Sequence, residues 1–175
     1  MNIQFKRLTD TNSSEYIFTE KLLIESFPTD EYREIEEQRK NTENIENFHM
    51  NIIYSSTTPV GLISFWKFDT FTYIEHFAIL PMLRNCGYGA ATIKKLIEQE
   101  KSIVLEVENP TDETSRRRIA FYQRCGLTLC EKEYIQPAYR ADSNEVPMHL
   151  MSCGVELDKK FESIRNSIYR TVYGI

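Results

Sequence analysis

The chain has 175 residues, a length that suits one domain of roughly 100–200 residues. Hydrophobic residues make up 41% and charged residues 27%, which excludes a disordered or fibrous chain. A net charge of −5 argues against nucleic acid as a partner, because phosphate-backbone binding rests on Lys and Arg. A single focused anion site stays compatible with that charge.

In chain order, Ile3, Phe5 and Arg7 alternate with more polar residues and predict a first strand. Ser13 or Ser14 then caps a helix that carries Tyr16, Ile17, Leu22, Leu23 and Phe27 and stops at Pro28. Asp30 to Lys40 reads as a polar helix, too poor in apolar residues for the core and therefore expected on the surface. Phe48–Ser55, Val60–Phe68 and Phe71–Leu80 are three short neighbouring strands, the pattern of an antiparallel meander.

Beyond Pro81 the pattern changes to a helix over Gly87–Gln99 and a strand over Ser102–Glu108. A second helix follows, capped by Thr111 or Thr114, running to Cys125 and closed by Gly126. Two further strands, Leu127–Tyr134 and Val146–Ser152, flank the polar loop Gln136–Glu145. Leu157–Tyr173 is a terminal amphipathic helix with Leu157, Phe161, Ile164, Ile168 and Val172 on one side. That side would cover the sheet of its own chain or that of a neighbour, which leaves a homodimer open. The expected fold class is α+β, a single domain over 1–175 with a mixed, mostly antiparallel central sheet and helices on both faces.

The cysteines, Cys86, Cys125, Cys130 and Cys153, form no C-x-x-C pair and no histidine stands at zinc-finger spacing, so no metal is expected. Free thiols fit a reducing compartment. The first residues lack the apolar run of a signal peptide, and nothing approaches the ~18 apolar residues of a membrane span. The expectation is a cytoplasmic protein with no membrane partner.

The most informative stretch runs from the third meander strand through Pro81 and Arg84-Asn85-Cys86-Gly87-Tyr88-Gly89 into a helix. Glycines at a helix entry let backbone approach a ligand closely, and the free N–H groups and helix dipole favour a phosphate. A plain strand-to-helix connection explains the same residues. The stretch lacks G-x-x-x-x-G-K-[ST], so it is not a P-loop. Gly87-Tyr88-Gly89-x-x-Thr92 matches a dinucleotide loop weakly, for the third glycine is missing and the preceding strands look antiparallel.

A second segment, Arg118-Ile-Ala-Phe121-Tyr122-Gln-Arg-Cys-Gly126-Leu127, is a helix with an aromatic pair before its glycine cap. Together, Arg84-x-x-Gly87-x-Gly89 and Phe121-Tyr122-x-x-x-Gly126-Leu127 resemble the two motifs of the GCN5-related N-acetyltransferase superfamily. The order of strands and helices along nearly the whole chain resembles that family too.

The resemblance implies an acetyl-CoA-dependent N-acetyltransferase acting on a primary amine, in a small molecule or at a peptide N-terminus. It implies that the strands Phe71–Leu80 and Ser102–Glu108 splay apart to admit acetyl-CoA. Backbone groups at Phe77, Ala78 and Ile79 would pair with the pantetheine arm. Arg84, Asn85, Cys86, Gly87, Tyr88 and Gly89 would hold the pyrophosphate. Arg118 shares a helix side with Tyr122 and would reach a CoA phosphate, whereas Arg116 and Arg117 read as a solvated face. Ser115 stands where many members keep a pantetheine-binding asparagine, and Asn109 is the nearest substitute.

By the same resemblance Tyr122 is the general acid for the departing thiolate, its ordinary pKa of ~10 keeping it protonated. Glu106 and Glu75 are the candidate bases. Glu75 shares a strand face with Tyr73, Phe77 and Ile79 by alternation, while His76 points to the other face and reads as structural. Glu106 and Glu108 lie on one side of the next strand with Val104, and one or more of Glu75, Glu106 and Glu108 would otherwise pair with an arginine of the 116–118 run or tip into solvent. The carboxylates suit a cationic acceptor. Asp30–Lys40 and Gln136–Glu145 fall where the family builds its acceptor pocket. The alternative function is a non-catalytic acyl-CoA-binding or regulatory domain on the same scaffold.

Overall fold

In the computed structural model, which describes residues 1–175, one eight-stranded sheet organises the chain. Strands β1 (Ile3–Leu8), β2 (Phe48–Ser55), β3 (Thr58–Lys67) and β4 (Thr72–Ile79) form the antiparallel meander. Helix α1 (Ser14–Ser26) lies between β1 and β2, with the Ser13 hydroxyl accepting from the Tyr16 N–H as its N-cap. Helix α3 (Tyr88–Glu100) crosses from β4 to β5 (Ile103–Glu108), which pairs parallel to β4. Helix α4 (Glu113–Arg124) follows, and β8 (Val146–Cys153) runs antiparallel to β5.

Two apolar cores sandwich the sheet. On one face Tyr16, Leu22 and Leu23 of α1 meet Leu157, Phe161, Ile164 and Ile168 of the terminal helix α5 (Leu157–Ile168). On the other, Ile93 and Leu96 of α3 and Ile119 of α4 pack on Ile63, Ile74, Leu105 and Met151. The terminal helix therefore covers the sheet of its own chain. No helix is long and apolar enough to cross a membrane.

Four expectations are corrected. The polar helix is shorter and later than Asp30–Lys40: a 3-10 turn spans Thr29–Glu31, and α2 spans Ile35–Asn44. Extended backbone at Tyr32 and Glu34 separates the two, and it turns Arg33 into the protein, where it is 1% exposed. The strand expected over Leu127–Tyr134 is two short pieces, β6 (Thr128–Leu129) and β7 (Tyr134–Gln136), each paired to β8. The cap of α4 is Asp112 rather than a threonine, and it forms a reciprocal capping box with Ser115.

The last correction matters most for the site. Ser64 pairs with His76 and Phe65 with Ile74, so Glu75 is the extra residue of a β-bulge. A bulge resets the alternation of side chains. Tyr73 and Ala78 join the α1/α5 core, whereas Ile74, Phe77 and Ile79 face α3 and α4. Glu75 thus keeps the side of Tyr73 but not that of Phe77 and Ile79. His76 does not point away from it: both side chains approach Tyr139, with the His76 and Tyr139 ring centroids 6.0 Å apart.

Candidate active site

Strands β4 and β5 pair only at Thr72, Ile74 and the residue between them, against Ile103–Leu105. Beyond Ile74 they diverge, and the edge of β4 from Glu75 onward has no strand beside it. A cleft of about 950 Å³ opens there, reaching from the loop after β4 to the loop after β7. Phe77, Ala78 and Ile79 line it from β4 and Glu106 from β5. Phe121 and Tyr122 line it from α4, and Arg84, Asn85, Gly87 and Gly89 from the loop.

The loop after β4 enters α3 through left-handed backbone. Asn85 and Gly87 take positive φ of 62° and 85°, and α3 begins at the next residue. Left-handed residues set among ordinary turn backbone can aim N–H groups into one concavity, and the N-terminal dipole of a helix favours an anion there. Arg84 is not merely a solvated cation, since its Nε donates to the Ile79 carbonyl at 3.2 Å and ties the loop to the end of β4. Space beside Gly89 is tight: a Cβ there would stand 3.3 Å from Phe121 Cζ, so the ring would have to give by a few tenths of an ångström. Cys86 and Tyr88 do not line the cleft. Cys86 is exposed with Sγ 3.5 Å from the Arg84 carbonyl, and Tyr88 packs on the α3/α4 core.

Arg118 reaches Glu108 rather than open solvent, at 2.5 Å. The pairing of a β5 acid with the 116–118 arginines therefore falls on Glu108 and leaves Glu106 free of it. Arg117, read from sequence as solvated, lines the cleft together with Arg118 and Arg124. Ser115 is consumed by the α4 cap, where its hydroxyl contacts the Asp112 carboxylate at 3.0 Å. Asn109 keeps a buried Oδ1 without a partner.

Glu75 and Glu106 sit in different electrostatic settings. Glu75 receives Arg33 Nη2 at 2.5 Å and Nη1 at 3.1 Å, Trp66 Nε1 at 3.2 Å and the Tyr139 hydroxyl at 3.3 Å. Burial pushes its carboxyl up, but the Arg33 charge, the His76 ring and these hydrogen bonds outweigh burial and hold it below the usual range. The Arg33 guanidinium is itself boxed by Phe48, Trp66 and Tyr139, with ring centroids 5.5–5.8 Å away.

Glu106 has no cation beside it. It accepts hydrogen bonds from the Tyr134 hydroxyl, from Gln136 Nε2 and from the Tyr173 hydroxyl, the last at 3.0 and 3.1 Å to its two oxygens. Burial dominates and raises its carboxyl above the usual range, with the hydrogen bonds pulling the other way. His76 is held neutral by burial; Nε2 lies 3.0 Å from the Glu31 carbonyl, so Nε2 carries the hydrogen and Nδ1 faces Ser64 Oγ at 3.2 Å. Tyr122 is pushed up to about 12 by burial, against the nearby Arg118 charge.

A scan of family models matches the Acetyltransferase (GNAT) family over residues 7–127, more than half of the chain. The chain belongs to the GNAT family of acetyltransferases. A solved structure from Bacteroides thetaiotaomicron, assigned to the GNAT family as an acetyltransferase, is 48% identical, with a TM-score of 0.95 over 98% of this chain and 99% of that one. The Bacillus subtilis protein YjbC, assigned as an acetyltransferase, is 31% identical over 58% of this chain; the match spans about half, 52%, of that protein's length. Arabidopsis thaliana Naa50, solved with the bisubstrate analogue CoA-Ac-MVNAL, shares the fold at 15% identity and TM-score 0.59, covering 87% of this chain and 98% of that one.

This GNAT match ends at residue 127, and the sequence reading missed residues on both sides of that limit. Arg33 lies within it, hidden in a stretch read as surface helix. Tyr134, Gln136, Tyr139 and Tyr173 lie beyond it, and all four close around the two carboxylates. One sequence signal for this ring existed: Tyr169 and Tyr173 are one helical turn apart at the end of an amphipathic helix.

Proposed function

We propose that the protein transfers an acetyl group from acetyl-CoA to a primary amine by direct attack on the thioester, with Glu106 as general base and Tyr122 as general acid. The observation that carries this reading is the polarity of the cleft. Its cations, Arg84, Arg117, Arg118 and Arg124, sit on the loop after β4 and on α4, where phosphates would lie. Of its four carboxylates, Glu108 is spent on Arg118, while Glu31, Glu75 and Glu106 sit on the turn before α2, on β4 and on β5, with Phe27, Tyr139, Val146 and Met148 among them. An ammonium fits that side and a carboxylic acid does not. The CoA-Ac-MVNAL bisubstrate analogue bound to Naa50, which shares the fold, supports the same assignment.

An attacking amine must first lose a proton, since an alkylammonium has a pKa near ~10.4. Glu106 is uncompensated, raised and on the cleft wall, which suits proton uptake. Glu75 is committed to Arg33 and takes a structural role, fixing β4 at the bulge. The amine nitrogen bonds to the thioester carbon, and backbone N–H groups on the open edge of β4, at Phe77–Ile79, stabilise the oxyanion. The C–S bond then breaks, the thiolate takes the Tyr122 proton, and the second proton lost by the acylated nitrogen returns Tyr122 to its phenol.

The deciding experiment is release of free CoA thiol from acetyl-CoA across polyamines, amino acids, aminoglycosides and peptide N-termini, with Glu106→Gln as control. Turnover on at least one amine, lowered in Glu106→Gln with the loss shrinking at high pH, is the expected result. Stabilisation by CoA with no turnover on any acceptor overturns it in favour of a non-catalytic acyl-CoA-binding domain.

A further inference from the structure

The groups that surround Glu106 form a connected chain of hydroxyls rather than a set of separate contacts. Tyr173 Oη lies 3.0 and 3.1 Å from the two Glu106 oxygens, 3.3 Å from Tyr139 Oη and 3.4 Å from Tyr73 Oη. Tyr139 Oη in turn lies 3.3 Å from Glu75 Oε1. The run Glu106–Tyr173–Tyr139–Glu75–Arg33 is thus continuous, with the base candidate at one end and a fixed ion pair at the other. A phenol has one hydrogen to donate and lone pairs to accept with. Tyr173 therefore has more acceptors than it can serve, and its hydroxyl has alternative orientations. The Tyr134 hydroxyl has Glu106 alone as its hydrogen-bond partner, so its direction is set.

The chain holds Tyr173 in place by an unusual turn. Residues Tyr169–Tyr173 wind as a π-helix, a wider turn found disproportionately at functional sites. The Val172 carbonyl accepts from Arg33 Nη2 at 3.3 Å, so the arginine that neutralises Glu75 also pins the turn that carries Tyr173. The polar groups that face Glu106 are Tyr73 from β4, Tyr134 and Gln136 from β7, Tyr139 from the following loop, and Tyr169 and Tyr173 from the terminal turn, with Glu75 reached through Tyr139. Leu150 of β8 lies opposite Glu106 in register and adds no charge.

We propose that Tyr173 is a positioning residue of the acetyltransferase: it holds the Glu106 carboxylate ionised toward the amine, and turns its hydrogen to Tyr139 when Glu106 takes up a proton. This rests on Glu106 being the base. The ammonium N–H bond breaks and a Glu106 O–H bond forms. The new acid donates to Tyr173, Tyr173 donates to Tyr139, and Tyr139 donates to Glu75. No proton leaves the chain of hydroxyls in this step; hydrogen bonds reverse by rotation.

The two tyrosines then have opposite effects when reduced to phenylalanine. Tyr173→Phe removes a donor to the anion, so the acid limb of kcat/KM moves up by about one pH unit. Tyr139→Phe removes the acceptor that ends on the Glu75–Arg33 pair and leaves only the longer contact to Tyr73 at 3.4 Å, so the limb moves down by a smaller amount. Acetyl-CoA Kd stays unchanged in both. The independent readout is infrared titration of the Glu106 carboxyl band, assigned by its loss in Glu106→Gln. Its midpoint should rise in Tyr173→Phe and fall in Tyr139→Phe, while a merely structural tyrosine would lower Tm and leave both limb and band in place. An unmoved band, or shifts of the same sign, overturns the proposal. If Tyr173→Phe does not fold, the downward shift in Tyr139→Phe decides, and an unmoved limb there refutes it. Failure of the base assignment is seen separately, as full activity in Glu106→Gln.

Discussion

Tyr122 is buried among Ile119, Leu127 and its neighbours yet lines the cleft, so its ring and its hydroxyl have separable roles. Tyr122→Phe keeps the ring beside Phe121, whose centroid is 5.1 Å away. A thiol leaving group has a pKa near ~8.5 and departs without full protonation, so kcat should fall by ~10²-fold, the low end for general acid catalysis. Acetyl-CoA Kd and Tm should hardly change; full activity would reduce Tyr122 to a packing residue. Arg33 behaves differently. Arg33→Met leaves Glu75 buried without its cation, and should cost about 3–5 kcal/mol in denaturant melts. Adding Glu75→Gln should return part of that loss, and a double variant as unstable as the single would show that Arg33 matters for its contacts to Val172 and the rings instead.

The two acids also give opposite pH dependences of stability. Glu75 has its folded pKa lowered, so its stabilisation is present above the unfolded value of ~4.3 and is lost as pH falls through the folded value. Glu106 has its folded pKa raised, so the protonated form favours folding and that favour is lost as pH rises through the folded value. Neutralising Glu106 should therefore raise Tm at pH 7–8 as it lowers turnover, the trade expected of a strained site. A drop in Tm of Glu106→Gln at neutral pH would show that its tyrosine hydrogen bonds outweigh its desolvation.

At the scale of elements, α5 matters twice, as a cover for the sheet and as the arm that carries Tyr173. Phe161 is 3% exposed in the α1/α5 core, and Phe161→Ala should cost about 3–5 kcal/mol. Turnover should fall more than acetyl-CoA affinity, because the phosphate loop belongs to the other face; equal losses in the two would mean that α5 supports the whole cleft. The phosphate loop offers the converse case. Gly89→Val meets Phe121 and Phe77 as well as any pyrophosphate, so calorimetry should find acetyl-CoA affinity largely lost in a chain that still folds. Affinity left intact would remove the phosphate assignment from this loop.

The whole molecule opens a cleft where two parallel strands part, with the loop after β4 and the α4 arginines toward one end and Glu31, Glu75 and Glu106 toward the other. Much of this was legible along the chain. The meander, the loop Arg84–Gly89, the helix ending Phe121–Tyr122–Gly126 and the amphipathic α5 are written in local periodicity, caps and glycines, because backbone conformation and one-sided burial depend on near neighbours. Those local signals are enough for the GNAT family and its fold. The acceptor side was decided by contacts between distant residues. A single extra residue in β4 put Glu75 and His76 on one face, against the simple alternation. Arg33 found Glu75 42 residues later, and Tyr173 came back over 67 residues to Glu106. No local pattern encodes which buried carboxylate receives the cation and which receives the tyrosines, since burial and pairing set the charge state only after the two faces have packed.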